Sequence, residues 1–167
     1  MHSRNRGKGA ALRDGIEDAI AQGAALLVTI DADGQHSPEE IPRLLQPIEQ
    51  GRADFVLGAR KRDRVMPMSR RVTNWLSATL ASRIGGQPVR DAQTGFRAFT
   101  RELAQRVHAA GDRYEYEANF LLAAMGAGYR IASVEVPTIY GPSSHFRAWY
   151  DTWLMARAFA RHTIGTT

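Results

Sequence analysis

The hydrophobic pattern in the N-terminal third of the chain predicts two helices and two strands in alternation. Apolar residues recur at helical spacing over residues 8–22. The continuous apolar run at 26–30 predicts a short strand buried on both faces, and residues 55–57 predict another. Residues 37–50 predict a helix, because a Ser N-cap, a first-turn Pro and a Glu three positions after the cap mark its start. This order is typical of a parallel sheet with crossover helices.

The remainder of the chain continues the alternation. A helix is predicted at 69–84, and residues 89–99 form a polar loop in this interpretation. Helical spacing places the following residues along one face of that helix: Val72, Trp75, Leu76, Thr79, Leu80 and Arg83. The other predicted elements are helices at 101–110 and 115–125, a strand at 130–136, and an amphipathic aromatic and basic segment at 146–161. We therefore expect one α/β domain over residues 1–145, followed by an amphipathic C-terminal helix over 146–167.

Composition and charge narrow the chemistry. The chain is 44% hydrophobic and 23% charged, as in ordinary globular proteins. It has no cysteine, so a metal would need oxygen or imidazole ligands. The net charge of +5 favours anionic partners, namely phosphorylated substrates, anionic lipid surfaces or nucleic acid. The longest apolar run is too short to span a bilayer, and no apolar stretch follows the basic N-terminus as it would in a signal peptide.

An acidic loop at residues 31–36 is the strongest chemical feature. Asp31 and Asp33 follow the most apolar strand, and ligands bind at the carboxyl ends of strands in open parallel sheets. Two carboxylates and the amide of Gln35 offer hard oxygen ligands that suit Mg²⁺ or Mn²⁺. Spacing alone also allows an acidic loop that only begins a helix, because Asp-x-Asp is common by chance.

Ordered motifs around this loop carry a resemblance to a known family. In chain order they are Asn5-Arg6-Gly7-Lys8-Gly9-Ala10-Ala11-Leu12, Asp31-Ala32-Asp33-Gly34-Gln35-His36-Ser37-Pro38-Glu39-Glu40-Ile41, Gly58-Ala59-Arg60, Asp91-Ala92-Gln93-Thr94-Gly95-Phe96-Arg97, Tyr114-Glu115-Tyr116-Glu117, Gly128-Tyr129-Arg130 and Val134-Glu135-Val136-Pro137. Together they resemble family 2 glycosyltransferases, and within them the polyprenyl-phosphate sugar transferases such as the dolichyl-phosphate mannose synthases. The resemblance implies a GT-A fold, a Rossmann-like α/β arrangement with a mostly parallel sheet flanked by helices.

The resemblance also implies how a sugar nucleotide is held. Asp31, Asp33 and Gln35 would bind the Mg²⁺ or Mn²⁺ that bridges the donor's pyrophosphate, and Arg60 would contact the donor phosphates. A departing nucleoside diphosphate gains charge in the transition state, and a cation with an Arg stabilises that charge. Two further donor contacts are predicted, at Lys8 and Ala32, although the glycines around Lys8 are equally explained by a structural turn.

Other positions are implied near the acceptor or as catalytic groups. The predicted catalytic residues are Asp33, Asp91 and Glu117, and the predicted acceptor-phosphate residues are Gln93, Arg97, His145 and Arg147. Each has a structural alternative: Asp91 could cap a turn, and Glu117 could stabilise a helix start through the helix dipole. His145 and Arg147 could be surface charges.

The predicted function is transfer of a hexose from a nucleoside diphosphate sugar to a dolichyl or undecaprenyl phosphate. An alternative is a hydroxyl acceptor, with Asp91 or Glu117 as the base, and another is an inactive fragment. The resemblance begins inside the family's catalytic domain, so we expect an N-terminally truncated domain with an exposed sheet edge. We also expect it at the cytoplasmic membrane face, held by the C-terminal helix. A nucleic-acid-binding module is disfavoured, since it rests on charge alone.

Overall fold

The computed structural model describes residues 6–61 and 68–139 of the chain. Its elements, in chain order, are α1 (Lys8–Ala21), β1 (Leu26–Thr29), a 3-10 turn (Pro38–Glu40), α2 (Ile41–Glu49), β2 (Phe55–Arg60), α3 (Met68–Gly85), β3 (Arg97–Thr100), α4 (Arg101–Arg106), α5 (Glu115–Gly126) and β4 (Ile131–Val136). Most of the predicted helices and strands are therefore present within a few residues of their expected bounds. Ser37 caps the second helical region as predicted, because its Oγ accepts a hydrogen bond from the backbone N–H of Glu39.

The four strands form one sheet in the order β1-β3-β2-β4. β3 pairs antiparallel with both β1 and β2, whereas β2 and β4 pair in parallel. Three strands therefore run in one direction, and the reversed strand β3 lies between two of them. The predicted α/β architecture with a helix-flanked sheet is confirmed. The expectation of a mostly parallel sheet describes the strand directions, but only one of the described pairings is parallel.

The reversed strand β3 was not predicted, because residues 89–99 were interpreted as a loop. The strand is only four residues long and begins with Arg97, so its first position carries a charge. The prediction that β1 is buried on both faces was also wrong. Leu27 is buried, but its neighbours in β1 are half-buried, because β1 lies at one edge of the described sheet.

Two apolar clusters cover the two faces of the sheet. The larger one joins sheet residues to α1, α3, α4 and α5, and at its centre the rings of Phe55, Phe99 and Phe120 lie 5.3–5.6 Å apart. The smaller one packs Leu44 and Ile48 of α2 against the opposite face. The sheet is thus buried between helices, and its edges and strand ends are the places left for a site.

The face of α3 that packs on the protein is not its most hydrophobic one. The buried positions are small or polar: Asn74, Ser77, Ala78 and Ala81. Small side chains let α3 approach α5 closely, which favours this face for packing. Val72, Trp75 and Leu76, which the helical spacing placed along one face, are exposed instead.

Several expectations lie outside the described residues. These are the C-terminal helix at 146–167 and the positions His145 and Arg147. The division into residues 1–145 and 146–167 therefore stays a prediction. Among the helices of the part that the structure describes, none combines the length and apolar character needed to cross a bilayer.

Candidate functional site

The candidate site lies at the carboxyl ends of β1 and β2, beside the start of β3. Thr29 ends β1 opposite Arg97, the first residue of β3, and the Thr29 hydroxyl donates to the carbonyl of Gly95 over 3.1 Å. This contact brings the loop before β3 against the acidic loop after β1. A Cβ atom on Gly95 would lie 2.3 Å from a carboxylate oxygen of Asp31. The sequence predicted close backbone approach to a ligand at this glycine; in the structure, the group it approaches is the carboxylate of Asp31.

The start of α1 is fastened to the turn before α5. The backbone N–H groups of Gly9 and Ala10 donate to the carbonyl of Asp112, over 2.9 and 3.3 Å. Gly9 lies so close to this turn that a Cβ there would stand 2.7 Å from Tyr116. Because of this close packing, Lys8 and Glu117, at the starts of α1 and α5, lie next to each other.

Lys8 bridges two carboxylates at this point. Its Nζ lies 2.7 Å from Asp31 Oδ1 and 2.7 Å from Glu117 Oε2, and all three side chains are largely shielded from solvent. Burial alone would lower the pKa of Lys8, but the charges of Glu117 and Asp31 outweigh it and hold the pKa above its ordinary value. An ammonium ion therefore stands between Asp31 and Glu117.

Asp33 and Gln35 lie on the exposed side of the same loop. Asp33 is exposed, and its Oδ1 accepts the backbone N–H of Gln35 over 3.0 Å, which closes a tight turn. The carbonyl of Gln35 accepts the N–H of Ile139, so residues beyond β4 help to hold the turn. Ala32 is exposed between the two aspartates.

The donor set of this loop fits a divalent cation that keeps other ligands. In residues 6–61 and 68–139, no group of three or more His, Cys, Asp or Glu is placed to hold a metal ion. Asp31, Asp33 and Gln35 supply two carboxylates and one amide oxygen. Mg²⁺ usually takes one or two carboxylates and completes its shell with water and phosphate. The position of the Lys8 ammonium beside Asp31 shows that this corner accommodates positive charge.

Arg60 and Asp91 form a buried bidentate ion pair. Arg60 Nε donates to Asp91 Oδ2 over 2.7 Å, and Nη2 donates to Oδ1 over 3.1 Å. Burial opposes ionisation of Asp91, which is 0% exposed, but the charge and hydrogen bonds of Arg60 lower its pKa below the ordinary value. Gln93 adds a backbone N–H to Oδ1 over 3.1 Å. A carboxylate with a lowered pKa is a weaker proton acceptor, so this environment opposes the predicted role of Asp91 as a base.

Arg97 holds the loop before β3 to α5. Its guanidinium donates to the carbonyls of Thr94 over 2.7 Å, Ala92 over 3.1 Å and Glu117 over 2.5 Å, and the residue is 2% exposed. These bonds satisfy a buried charge with backbone acceptors. A role in acceptor-phosphate binding, predicted for Arg97 and Gln93, is untested by these contacts, which place Arg97 inside the protein.

His36 was not singled out from the sequence, although it lies in the acidic motif. It is buried, its ring lies 5.3 Å from that of Phe96, and its Nδ1 finds no hydrogen-bond partner among the described residues. Burial and then the charge of Arg60 lower its pKa, so a neutral imidazole lines this corner. Its residue type gave no signal, since a lone histidine beside a strand end is commonly a packed core residue.

Comparison with known proteins places this site in context. Residues 1–107 match the protein-family model described as "Glycosyl transferase family 2". A UDP-N-acetylglucosamine–dolichyl-phosphate N-acetylglucosaminyltransferase from Methanococcus voltae is 35% identical over 147 residues, covering 83% of this chain and 58% of the relative. A polyprenol monophosphomannose synthase from Mycolicibacterium smegmatis is 30% identical over 148 residues, covering 84% and 55%.

Solved structures give the same picture at the level of the fold. A crystal structure of glucosyl-3-phosphoglycerate synthase from Mycobacterium tuberculosis, in complex with Mn²⁺, uridine diphosphate and phosphoglyceric acid, superposes with a TM-score of 0.71. It shares 21% sequence identity, and the match covers 97% of this chain and 55% of that one. The present chain thus spans little more than half the length of the relatives described above.

Proposed function

Because this chain belongs to glycosyl transferase family 2, we propose that it carries the metal-holding part of a polyprenyl-phosphate sugar transferase. Such an enzyme would move a hexose from a nucleoside diphosphate sugar to a lipid-linked phosphate. The fold is of the predicted GT-A type. The names of two relatives support the acceptor class, since both describe transfer to a dolichyl or polyprenol carrier.

The observation that carries this proposal is the corner formed by Asp31, Lys8 and Glu117 at the carboxyl end of β1. A lysine ammonium held 2.7 Å from two carboxylates marks a position that is favourable to a cation and adjacent to Asp33 and Gln35. Asp31, Asp33 and Gln35 would hold Mg²⁺ or Mn²⁺ there, and the bound ion would neutralise charge on the donor's pyrophosphate. The Mn²⁺ in the solved relative supports a divalent cation in this fold.

Arg60 would stabilise the charge of the leaving nucleoside diphosphate. It is the last residue of β2, and Asp91 fixes its guanidinium through two parallel hydrogen bonds. A positioned guanidinium needs little reorganisation when charge develops nearby. In this proposal Asp91 orients Arg60, and Lys8 supplies a second positive charge at the donor site.

The acceptor phosphate would attack directly. A polyprenyl phosphate is already ionised and needs no general base, which agrees with the pairing of Glu117 to Lys8 and of Asp91 to Arg60. Gln93, Arg97, His145 and Arg147 keep their predicted roles at the acceptor phosphate only as part of this proposal. Association with the cytoplasmic membrane face through residues 146–167 belongs to it as well.

The test is transfer of labelled sugar from UDP- and GDP-sugars to a detergent-solubilised polyprenyl phosphate. We expect lipid-extractable product with Mg²⁺ or Mn²⁺, its loss with chelator, and its loss in Asp33→Ala. The matched control is Glu39→Ala, an exposed carboxylate that lies after the same loop, which should retain activity. Product that survives chelation would contradict the metal site. Transfer only to a soluble saccharide would contradict the acceptor and favour a hydroxyl-acceptor enzyme.

A further inference from the structure

The solvent-facing side of α3 carries a stripe of large apolar side chains. Met68 is 67% exposed, Val72 57%, Trp75 56% and Leu76 53%. Their spacing places all four on one face of the helix. This face is opposite the buried positions Asn74, Ser77, Ala78 and Ala81.

The stripe is a cluster rather than ordinary scatter. The large hydrophobic side chains exposed in residues 6–61 and 68–139 number seven, and four of them belong to α3. Single exposed apolar residues are normal on protein surfaces, but a contiguous group of them marks an interaction surface. The apolar face of α3 therefore calls for a partner that accepts aromatic and aliphatic side chains.

The charge of α3 indicates what that partner is. The helix contains three arginines, Arg70, Arg71 and Arg83, and no aspartate or glutamate in its 18 residues. Arg83 is exposed in the last turn, beyond the apolar stripe. Apolar residues with a Trp, bordered by arginines and without acidic groups, are typical of helices that lie in the interface of an anionic bilayer.

We propose that the exposed face of α3, defined by Met68, Val72, Trp75, Leu76 and Arg83, docks on an anionic lipid surface. The apolar side chains enter the headgroup region, and the arginines pair with lipid phosphates. Met68 follows Arg60 by eight residues, so the chain keeps the stripe within about 28 Å of the donor site. The biological purpose rests on the proposed function, because a lipid-linked acceptor must reach that site from a membrane.

The test is sedimentation of the full chain with vesicles of phosphatidylcholine, with and without phosphatidylglycerol, and free of polyprenyl phosphate and sugar nucleotide. We expect binding to the anionic vesicles that weakens with added salt. Val72→Glu/Leu76→Glu should weaken that binding at least tenfold. Gln22→Glu/Gln105→Glu, at exposed positions away from α3, makes the same change in net charge and should leave it within twofold.

Val72→Ser/Leu76→Ser separates the apolar contribution from the charge, and should also weaken binding severalfold with unchanged thermal unfolding. The proposal is overturned if wild type ignores anionic vesicles, or if the α3 substitutions have no effect because another segment binds the lipid. It is also overturned if Val72→Glu/Leu76→Glu dissociates a dimer that does not bind vesicles. Sugar transfer is measured separately in detergent, so failed transfer with intact vesicle binding contradicts only the proposed function.

Discussion

Substitution of Gly95 by alanine tests the geometry of the site with a single methyl group. The Cβ would stand 2.3 Å from Asp31 Oδ2, whereas ordinary contact begins at 3.4 Å, so the atoms must separate by 3.4 − 2.3 = 1.1 Å. Gly95 is held by the hydrogen bond from Thr29 between two adjacent strands, and Asp31 is on a loop. The carboxylate is therefore expected to move.

A shift of this size is large compared with what a metal site tolerates. Mg²⁺ binds oxygen at about 2.0–2.1 Å in near-octahedral geometry, and a displacement of 1.1 Å removes an oxygen from that sphere. Disturbing the groups that orient a metal ligand typically costs about 10- to 100-fold in affinity. We expect Gly95→Ala to weaken Mn²⁺ binding in the presence of a nucleoside diphosphate by that factor.

The assay is Mn²⁺ titration followed by electron paramagnetic resonance, together with thermal unfolding. Gly15→Ala is the matched control, because its Cβ would meet nothing within 4 Å in α1. Alanine there should leave Mn²⁺ affinity unchanged and raise stability by about 0.5–1 kcal/mol. Unchanged Mn²⁺ affinity in a folded Gly95→Ala protein would refute the placement of Asp31 in the metal site.

Three further substitutions test individual ion pairs. Lys8→Met should tighten Mn²⁺ binding about fivefold in the same titration, because it frees a carboxylate from a pair worth about 1 kcal/mol. Asp91→Asn should reduce the free energy of unfolding by about 3 kcal/mol in urea titration, since it leaves Arg60 without its buried partner. Asp54→Asn should cost about 1 kcal/mol at neutral pH, and this difference should disappear in acid.

The sign of the acid effect follows from the pKa of Asp54. Hydrogen bonds from Arg130 lower that pKa in the folded protein, so as pH falls the unfolded chain takes up the proton first. The stabilisation is complete above the unfolded value of about 4 and is lost as pH falls through the folded value. A constant difference between wild type and Asp54→Asn across this range would contradict the assignment.

Contradictory outcomes for the other two pairs are equally direct. Weaker Mn²⁺ binding in Lys8→Met would mean that the lysine supports the cation site instead of competing for its carboxylate. Unfolding of Asp91→Asn at the wild-type urea concentration would show that the pair with Arg60 adds no net stability.

Local pattern was sufficient to predict most of the elements, but not which face of each is buried. The helices α1, α2 and α5 follow from spacing and caps that act within a few residues. The buried face of α3 does not, because it is chosen by close approach to α5, where Asn74 and Ala78 fit and Trp75 does not. β3 escaped prediction because its strand conformation depends on pairing with two distant strands.

The site shows the same division. The acidic loop could be identified from Asp31 and Asp33, because a strand end and its following carboxylates are neighbours in sequence. The pairing of Lys8 with Glu117 depends on how α1 and α5 dock, which no local pattern encodes. The close approach of Gly95 to Asp31 likewise depends on the register of β1 and β3.

The most direct test of the account is Mn²⁺ binding to wild type and Asp33→Ala in the presence of UDP or GDP. The account predicts Mn²⁺ binding in wild type that is strengthened by the nucleoside diphosphate and lost in Asp33→Ala, with Glu39→Ala unchanged. Equal Mn²⁺ binding by wild type and Asp33→Ala would contradict the assignment of the acidic loop as the donor's metal site.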